Sequence, residues 1–204
     1  MPKLGMEPIR RAALVNATIS EVGQAGSLDV TVAKIARRAG MSSALAHHYF
    51  GSKEQMFLAA MRHILTVYGA EVRGALAAAE GPHGRVVALI RASFTAGSFR
   101  HEVINAWLNF YVLAQTLPAA RRLLRIYQRR MQSNLRYDLK MLVKNPEDVE
   151  RGISALIDGV YIRAALAERT SDRKAAAQVV LEYLQARIQA DWPPDRPREP
   201  ESPG

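Results

Sequence analysis

Along almost the whole chain apolar residues recur three and four positions apart, while alternating Val/Ile/Thr/Tyr runs bounded by turns are nearly absent. That spacing gathers the apolar side chains on one face of a helix, so the pattern predicts an all-α protein. At 204 residues the chain is long enough for one large core or for a small domain joined to a larger one. Breaks are expected at Gly23 to Asp29, at Gly40, at Gly51-Ser52, at Gly81-Pro82-His83-Gly84, near Pro118 and at Asn145-Pro146, where turn formers and helix stoppers cluster. They cut the chain into short helices first and longer ones later, about nine in all. The division predicts an N-terminal unit over residues 8–68, built on three helices, and a larger helical unit over 69–190. Residues 191–204 read DWPPDRPREPESPG, a composition of proline and charge with little to bury, and a disordered tail is expected.

Several helix starts carry their own chemistry. Thr31 precedes Val32, Ile35 and Ala36, and Ser42 precedes the next short helix; each hydroxyl can accept a bond from an otherwise unpaired backbone N–H. Ser52 with Gln55 reads as a capping box opening a long helix with Met56, Ala60, Ile64, Tyr68 and Val72 on its apolar face. Asn145-Pro146-Glu147-Asp148 supplies a cap, a proline at the first helical position and acids in the first turn.

A formal net charge of +9 favours polyanionic partners, nucleic acid or an acidic membrane surface. The run Arg121, Arg122, Arg125, Arg129, Arg130, Arg136, Lys140 and Lys144 reads first as a solvated helix face. A basic scaffold protein using that run is the rival reading. With no cysteine, disulfides and thiolate metal sites are excluded, which fits a reducing, cytoplasmic setting. No stretch approaches the ~18 uninterrupted apolar residues of a membrane span, and no apolar segment with a cleavage site follows the N-terminus, so neither membrane insertion nor secretion is expected. Enzyme signatures are missing: no Gly-x-Ser-x-Gly elbow, no glycine-rich phosphate loop, no His-Glu-x-x-His pair. His47 and His48 are neighbours on a helix and cannot easily share a metal. No catalytic residue, metal or cofactor is therefore expected.

Thr31 to Phe50, TVAKIARRAGMSSALAHHYF, holds two helices too short to be stable alone, joined at Gly40-Met41-Ser42. Ala36 lets the helices approach, Gly40 can take the left-handed conformation that ends the first, and Ile35, Met41 and Tyr49 can fill the wedge. This is the physical specification of a helix-turn-helix, whose second helix, about Ser43 to Tyr49, enters the major groove with its N-terminal residues nearest the bases. The stretch from Arg10 to Phe57 resembles the TetR family signature, with Ala17, Gly26, Val32-Ala33-Lys34-Ile35-Ala36, Ala39-Gly40, Ser42, Tyr49-Phe50 and Ser52-Lys53-Glu54 at the family's spacing. The resemblance implies a transcriptional repressor on double-stranded operator DNA. It assigns Thr31, Lys34, His47, Tyr49 and Lys53 mainly to phosphates, Ser43, Ala44 and His48 to the groove floor, and Ser42 chiefly to capping. Tyr49 can equally well pack in the core. Two positions depart from the family pattern: Ala44 stands where glycine is common, and His47 where a tyrosine usually touches the backbone, although an imidazole N–H can also donate to phosphate.

Beyond Gly81 the helical faces become aromatic. Val103, Trp107, Phe110, Tyr111 and Ala114 share one side of a helix; Ile153, Ile157, Tyr161 and Ala164 share another, with Asp158 among apolar neighbours one turn before Tyr161. A carboxylate there needs a partner, which can be an arginine or a bound cation. Aromatic faces with a buried carboxylate suit a quaternary ammonium ion, held by cation–π and Coulomb attraction. The ligand set expected is Trp107, Phe110, Tyr111, Asp158 and Tyr161, with Phe94 as a further member. The stretches PKLGMEPIRRAALVNATI, MSSALAHHYFGSKEQM, NAWLNFY and IDGVYIRAALA resemble the choline-responsive branch of the family, repressors of glycine-betaine synthesis genes. That resemblance implies choline as inducer and osmoprotectant genes, including a choline transporter and choline-oxidising dehydrogenases, as targets; the alternative is a repressor of the same family that senses another small cationic or apolar ligand. The last two helices, about Pro146 to Ala167 and Asp172 to Ala190, carry Leu156, Val160, Ala164, Val180, Leu184 and Ile188 on apolar stripes; these pack within the subunit or, as the family resemblance implies, form the interface of a homodimer. A two-fold dimer requires a near-palindromic operator.

Overall fold

The structure, a computed structural model, describes residues 5–167 and 172–191; of the tail expected over 191–204, Asp191 instead closes the last helix and 192–204 lie outside the described residues. Among the described residues there are nine α-helices and no strand, as the apolar period predicts. They are α1 (Met6–Ala25), α2 (Val32–Arg38), α3 (Ser43–Phe50), α4 (Lys53–Ala78), α5 (Gly81–Ala92), α6 (His101–Thr116), α7 (Pro118–Leu139), α8 (Pro146–Leu166) and α9 (Arg173–Asp191).

Two hydrophobic clusters organise these helices. The smaller is built on Leu14, Ile19, Val22, Ile35, Ala36, Ala46, Met56 and Phe57 from α1 to α4, and takes in Val103 and Ala106 of α6. The larger joins α4 to α9 around Leu58, Leu89, Ile90, Phe110, Leu135, Leu139, Ile153, Val180 and Leu184. The α4 helix runs unbroken through both, so a displacement of its middle must be felt at its first turn.

Helix ends follow local chemistry. Gly26 terminates α1 in the left-handed region at φ 61°, and Gly40 does the same after α2 at φ 68°. Pro118 opens α7 and Pro146 opens α8, where a missing N–H costs nothing. Asn145 occupies the cap position of α8 but makes no side-chain capping bond.

One of the expected breaks needs correction, and one observed break lies outside them. Gly23 does not end α1, because the helix continues to Ala25. Instead it lies against α6: a Cβ built there would stand 2.5 Å from the Cα and carbonyl oxygen of Glu102, and Asn105 Nδ2 donates to the Gly23 carbonyl at 3.0 Å. The break between α5 and α6, residues 93–100, was not expected, although Ser-Phe-Thr-Ala-Gly-Ser carries the composition of one.

Ion pairs fasten the larger cluster. Arg85 donates to the buried Asp138 at 2.9 Å and to the Leu76 carbonyl at 3.2 Å, linking α5, α7 and the end of α4. Arg136 donates to the fully buried Glu150 at 2.9 Å, and Ser154 Oγ donates to its other oxygen at 3.0 Å. Removing one partner of such a pair strands a charge, which is costlier than the pair is stabilising. The basic run is therefore a mixture: Arg136 pairs inward, Arg121 donates to the Ala114 carbonyl at 3.0 Å, and Arg122, Arg125, Arg129, Arg130, Lys140 and Lys144 are exposed.

Candidate DNA-reading head and ligand cavity

Three hydroxyls set the geometry of the head. Thr31 Oγ1 accepts from Lys34 N at 3.2 Å, Ser42 Oγ from Leu45 N at 3.2 Å and Ser52 Oγ from Gln55 N at 3.3 Å, opening α2, α3 and α4 in turn. Each satisfies one orphan donor, a contribution of about 1 kcal/mol. Ile35, Ala36 and Ala46 are buried between the helices, with Met41 and Tyr49 packed around them. Ala46, on the inner face of α3, is a wedge residue that sequence reasoning missed; its small size at the helix contact was the available signal.

The outer face is polar and basic. Thr31, Lys34, Ser42, Ala44, His47 and His48 are exposed, while Ser43, Tyr49 and Lys53 are half-buried. Ala44, His47 and His48, spaced i, i+3 and i+4, form one side of α3. Tyr49 serves packing and surface together: its ring lies 5.5 Å from the Arg11 guanidinium, and its hydroxyl accepts from Arg10 Nη1 at 3.4 Å. Lys53 Nζ stands 5.6 Å from the Phe57 ring. His47 Nδ1 donates to the Gly51 carbonyl at 3.0 Å, which fixes the ring across the end of α3 and leaves Nε2 to face outward.

In the larger cluster, α4, α6, α7, α8 and the 93–100 turn enclose a cavity of about 30 Å³, lined among others by Tyr68, Trp107, Tyr127, Asp158 and Tyr161. Four aromatic rings from four helices thus face one space. Trp107 and Tyr127 pack edge to face at 4.9 Å, and Tyr68 and Tyr127 at 5.5 Å, geometries that orient ring quadrupoles favourably. Tyr161 donates to the Ser93 carbonyl at 2.5 Å, and the Tyr68 hydroxyl lies 3.2 Å from Ser93 Oγ. Behind the wall, Glu71 accepts from Thr95 Oγ1 at 2.9 Å and from Ser98 Oγ at 3.0 Å.

Asp158 is the one carboxylate lining this space. Tyr111 donates to it at 2.8 Å, and among the described residues no arginine or lysine pairs with it, so the arginine bridge that the sequence left open is not formed there. Burial raises its pKa above the ordinary 3.8, opposed by the Tyr111 hydrogen bond. Desolvation likewise pushes the Tyr68, Tyr111, Tyr127 and Tyr161 phenols up, so all four are neutral hydroxyls.

Of the expected ligand set, Trp107, Asp158 and Tyr161 line the cavity and Tyr111 stands behind Asp158 as its donor. Two members do not reach it. Phe110 packs beside Trp107, with ring centroids 5.6 Å apart, but lines a separate small cavity with Ile19, Val22 and Phe57, because the apolar face of α6 is wide enough to meet two neighbours. Phe94 packs behind Tyr161 and Phe99, with centroids 5.9 and 5.4 Å away. Tyr68 and Tyr127 were missed as wall residues. In the sequence Tyr68 is one member of an apolar stripe and Tyr127 sits within the arginine run, so neither stands out.

A capped helix-turn-helix carried on a helical body with an internal cavity defines a ligand-responsive, DNA-binding transcriptional regulator. Residues 14–60 match the family described as bacterial regulatory proteins, tetR family, and residues 82–189 match BetI-type transcriptional repressor, C-terminal. The chain belongs to the BetI-type repressors of the tetR family, which are regulators and not enzymes. It is 48% identical over 186 residues to the HTH-type transcriptional regulator BetI of Brucella suis biovar 1 (strain 1330), covering 90% of this chain and 94% of that one. The BetI of Rhizobium meliloti (strain 1021) is 46% identical over 193 residues, covering 94% and 95%. In fold, the chain is similar to a transcriptional regulator from Saccharomonospora viridis solved in complex with choline, with TM-score 0.74 and 22% identity, covering 86% of this chain and 95% of that one. Among the described residues no helix is long and apolar enough to cross a membrane.

Proposed function

We propose that this repressor senses choline, is released from its operator by it, and thereby controls genes for making glycine betaine as an osmoprotectant. The observation that carries the reading is the cavity wall: Tyr68, Trp107, Tyr127 and Tyr161 surround a space that also holds Asp158, a carboxylate with no cation of its own among the described residues. A trimethylammonium group offers no N–H to donate, so aromatic faces and one anion are what can hold it. The neighbour of similar fold solved in complex with choline supports the same ligand.

The cavity, at about 30 Å³, has the room of about one water molecule. Choline is larger, so its entry must part the walls. Those walls include Ile64, Leu65 and Tyr68 of α4 and Val103 of α6. The first turn of α4 follows the reading helix directly, and Val103 belongs also to the cluster of the head. Widening the cavity therefore moves the head, and choline favours the state whose heads fit the operator less well.

On DNA, Thr31, Lys34, His47, Tyr49 and Lys53 contact phosphates and position the head, Ser43, Ala44 and His48 face the bases, and Ser42 caps α3. The protein works as a cytoplasmic homodimer on a near-palindromic operator. The heads form one unit, about 8–68, and the sensing and pairing helices another, about 69–190. For pairing, α8 leaves Ala155, Ile162 and Leu166 exposed on one stripe and α9 leaves Ala175, Val179 and Ala186, each at spacings of one helical face. Ala164, Val180 and Leu184 of the expected stripes are buried inside the subunit.

The test is operator affinity by fluorescence anisotropy with and without saturating choline. Weakened binding is expected; an unchanged affinity removes choline as an inducer acting through the binding equilibrium.

A further inference from the structure

Outside the aromatic cavity, α4 and α7 diverge to form an open groove of about 700 Å³. Cavity and groove share Leu65, Tyr68 and Tyr127, so these side chains are the partition between them. The groove also carries Arg62 and Arg73 from α4 and Arg130 from α7, and no carboxylate lines it. Among the described residues none of the three arginines is in a salt bridge. Helical spacing places two of them at the partition: Arg62 is one turn before Leu65, and Arg130 one turn after Tyr127, positions whose Cβ atoms lie about 5–6 Å apart. The result is an ordered pair of chemistries, a cation-seeking wall inside and an anion-seeking rim immediately outside.

We propose that the α4–α7 groove is an anion subsite continuous with the aromatic cavity, so that the protein takes phosphocholine, with its ammonium inward and its phosphate between Arg62 and Arg130. This rests on the quaternary-ammonium reading of the cavity. Phosphocholine presents a trimethylammonium group and a phosphate dianion separated by a two-carbon link, short enough to place both ends across a one-side-chain partition. Guanidinium groups bind phosphate through parallel charge-assisted N–H donors. Glycine betaine, whose carboxylate sits one carbon from its nitrogen, cannot reach the rim while its ammonium is in the cavity. A ligand entering from the groove must part Tyr68 and Tyr127, and a phosphate on the arginines holds it at that opening.

Calorimetric titration of the full chain with choline, phosphocholine, glycine betaine and inorganic phosphate tests this directly. Phosphocholine is expected to bind about tenfold more tightly than choline, the worth of a charge-assisted contact at the rim, and to lose affinity more steeply as NaCl is raised. The double variant Arg62→Ala/Arg130→Ala should bring phosphocholine down to the affinity of choline while leaving choline itself within about twofold. Both side chains are exposed, so the fold should survive, and Arg62→Gln/Arg130→Gln serves as a second form. Choline binding without phosphocholine binding, or phosphocholine binding untouched by both double variants, overturns the subsite alone. Failure of choline and phosphocholine together overturns the ammonium reading beneath it. Equal displacement of phosphocholine and choline by inorganic phosphate also counts against the subsite, since phosphate should compete only at the rim.

Discussion

Asp158 keeps its carboxyl in a place that costs it hydration, and the cost has a readable sign. Its folded-state pKa is raised above the ordinary 3.8 by burial, so the folded chain holds this proton to higher pH than the unfolded chain does. The charged carboxylate thus opposes folding once the pH exceeds the raised value, and the opposition is relieved as the pH falls. A quaternary ammonium held beside Asp158, as proposed, favours the carboxylate, so its binding is expected to release a proton wherever Asp158 is partly protonated. Choline affinity should accordingly decline as the pH is lowered through the raised pKa. In Asp158→Asn choline affinity should drop about tenfold or more and that pH dependence should flatten, while operator binding stays intact and Tm at neutral pH does not fall. Calorimetry across pH with a melting curve checks all of this, and wild-type-like choline binding would remove Asp158 from the site. This residue was legible because a lone carboxylate on an apolar face is chemically conspicuous. Phe110 and Phe94 were not separable from Trp107 by the same reasoning: period tells which residues share a face, not which neighbour that face meets.

At the scale of helices, capping chemistry was the most readable feature. Thr31, Ser42 and Ser52 each bond the N–H three residues on, as their position before an apolar run predicts, because a cap is a local interaction needing no tertiary information. Gly23 shows the opposite case. A glycine near a helix end resembles a stop signal, yet here it is needed by a partner helix 79 positions away in sequence, at Glu102. The crossing carries a second tie, from Asn105 to the Gly23 carbonyl, so α1 of the head and α6 of the cavity wall touch through backbone. Gly23→Ala must separate them, since its Cβ would meet backbone atoms at 2.5 Å and backbone cannot rotate away. A destabilisation of about 1–3 kcal/mol is expected from overpacking, seen as a lower Tm. An unchanged Tm would mean that the α1–α6 contact has slack and transmits little.

For the whole molecule, the consequence of the head's geometry depends on where its twin is held. One reading helix samples a few base pairs; two on a rigid frame sample successive major grooves about 34 Å apart, and only then does a shift of α4 alter operator affinity. The exposed apolar stripe on α8 and α9 is where the proposed pairing builds that frame. Ile162 is 47% exposed and Leu166 79%, an arrangement that wastes apolar surface unless a second copy covers it. The monomer's own core does not use them, which is why Ile162→Glu/Leu166→Glu should leave the helical fold intact by circular dichroism while opposing charges of like sign across the two-fold axis. Sedimentation velocity should then report a monomer. Affinity for a palindromic operator should fall steeply, whereas binding to an isolated half-site should stay as weak as that of one wild-type head. The aromatic cavity, walled by α4, α6, α7 and α8 of a single subunit, should still bind choline in that monomer if it is the site proposed above. If choline binding were lost with the dimer, the cavity would depend on the partner, and the pairing face and the sensing site would have to be treated as one structure.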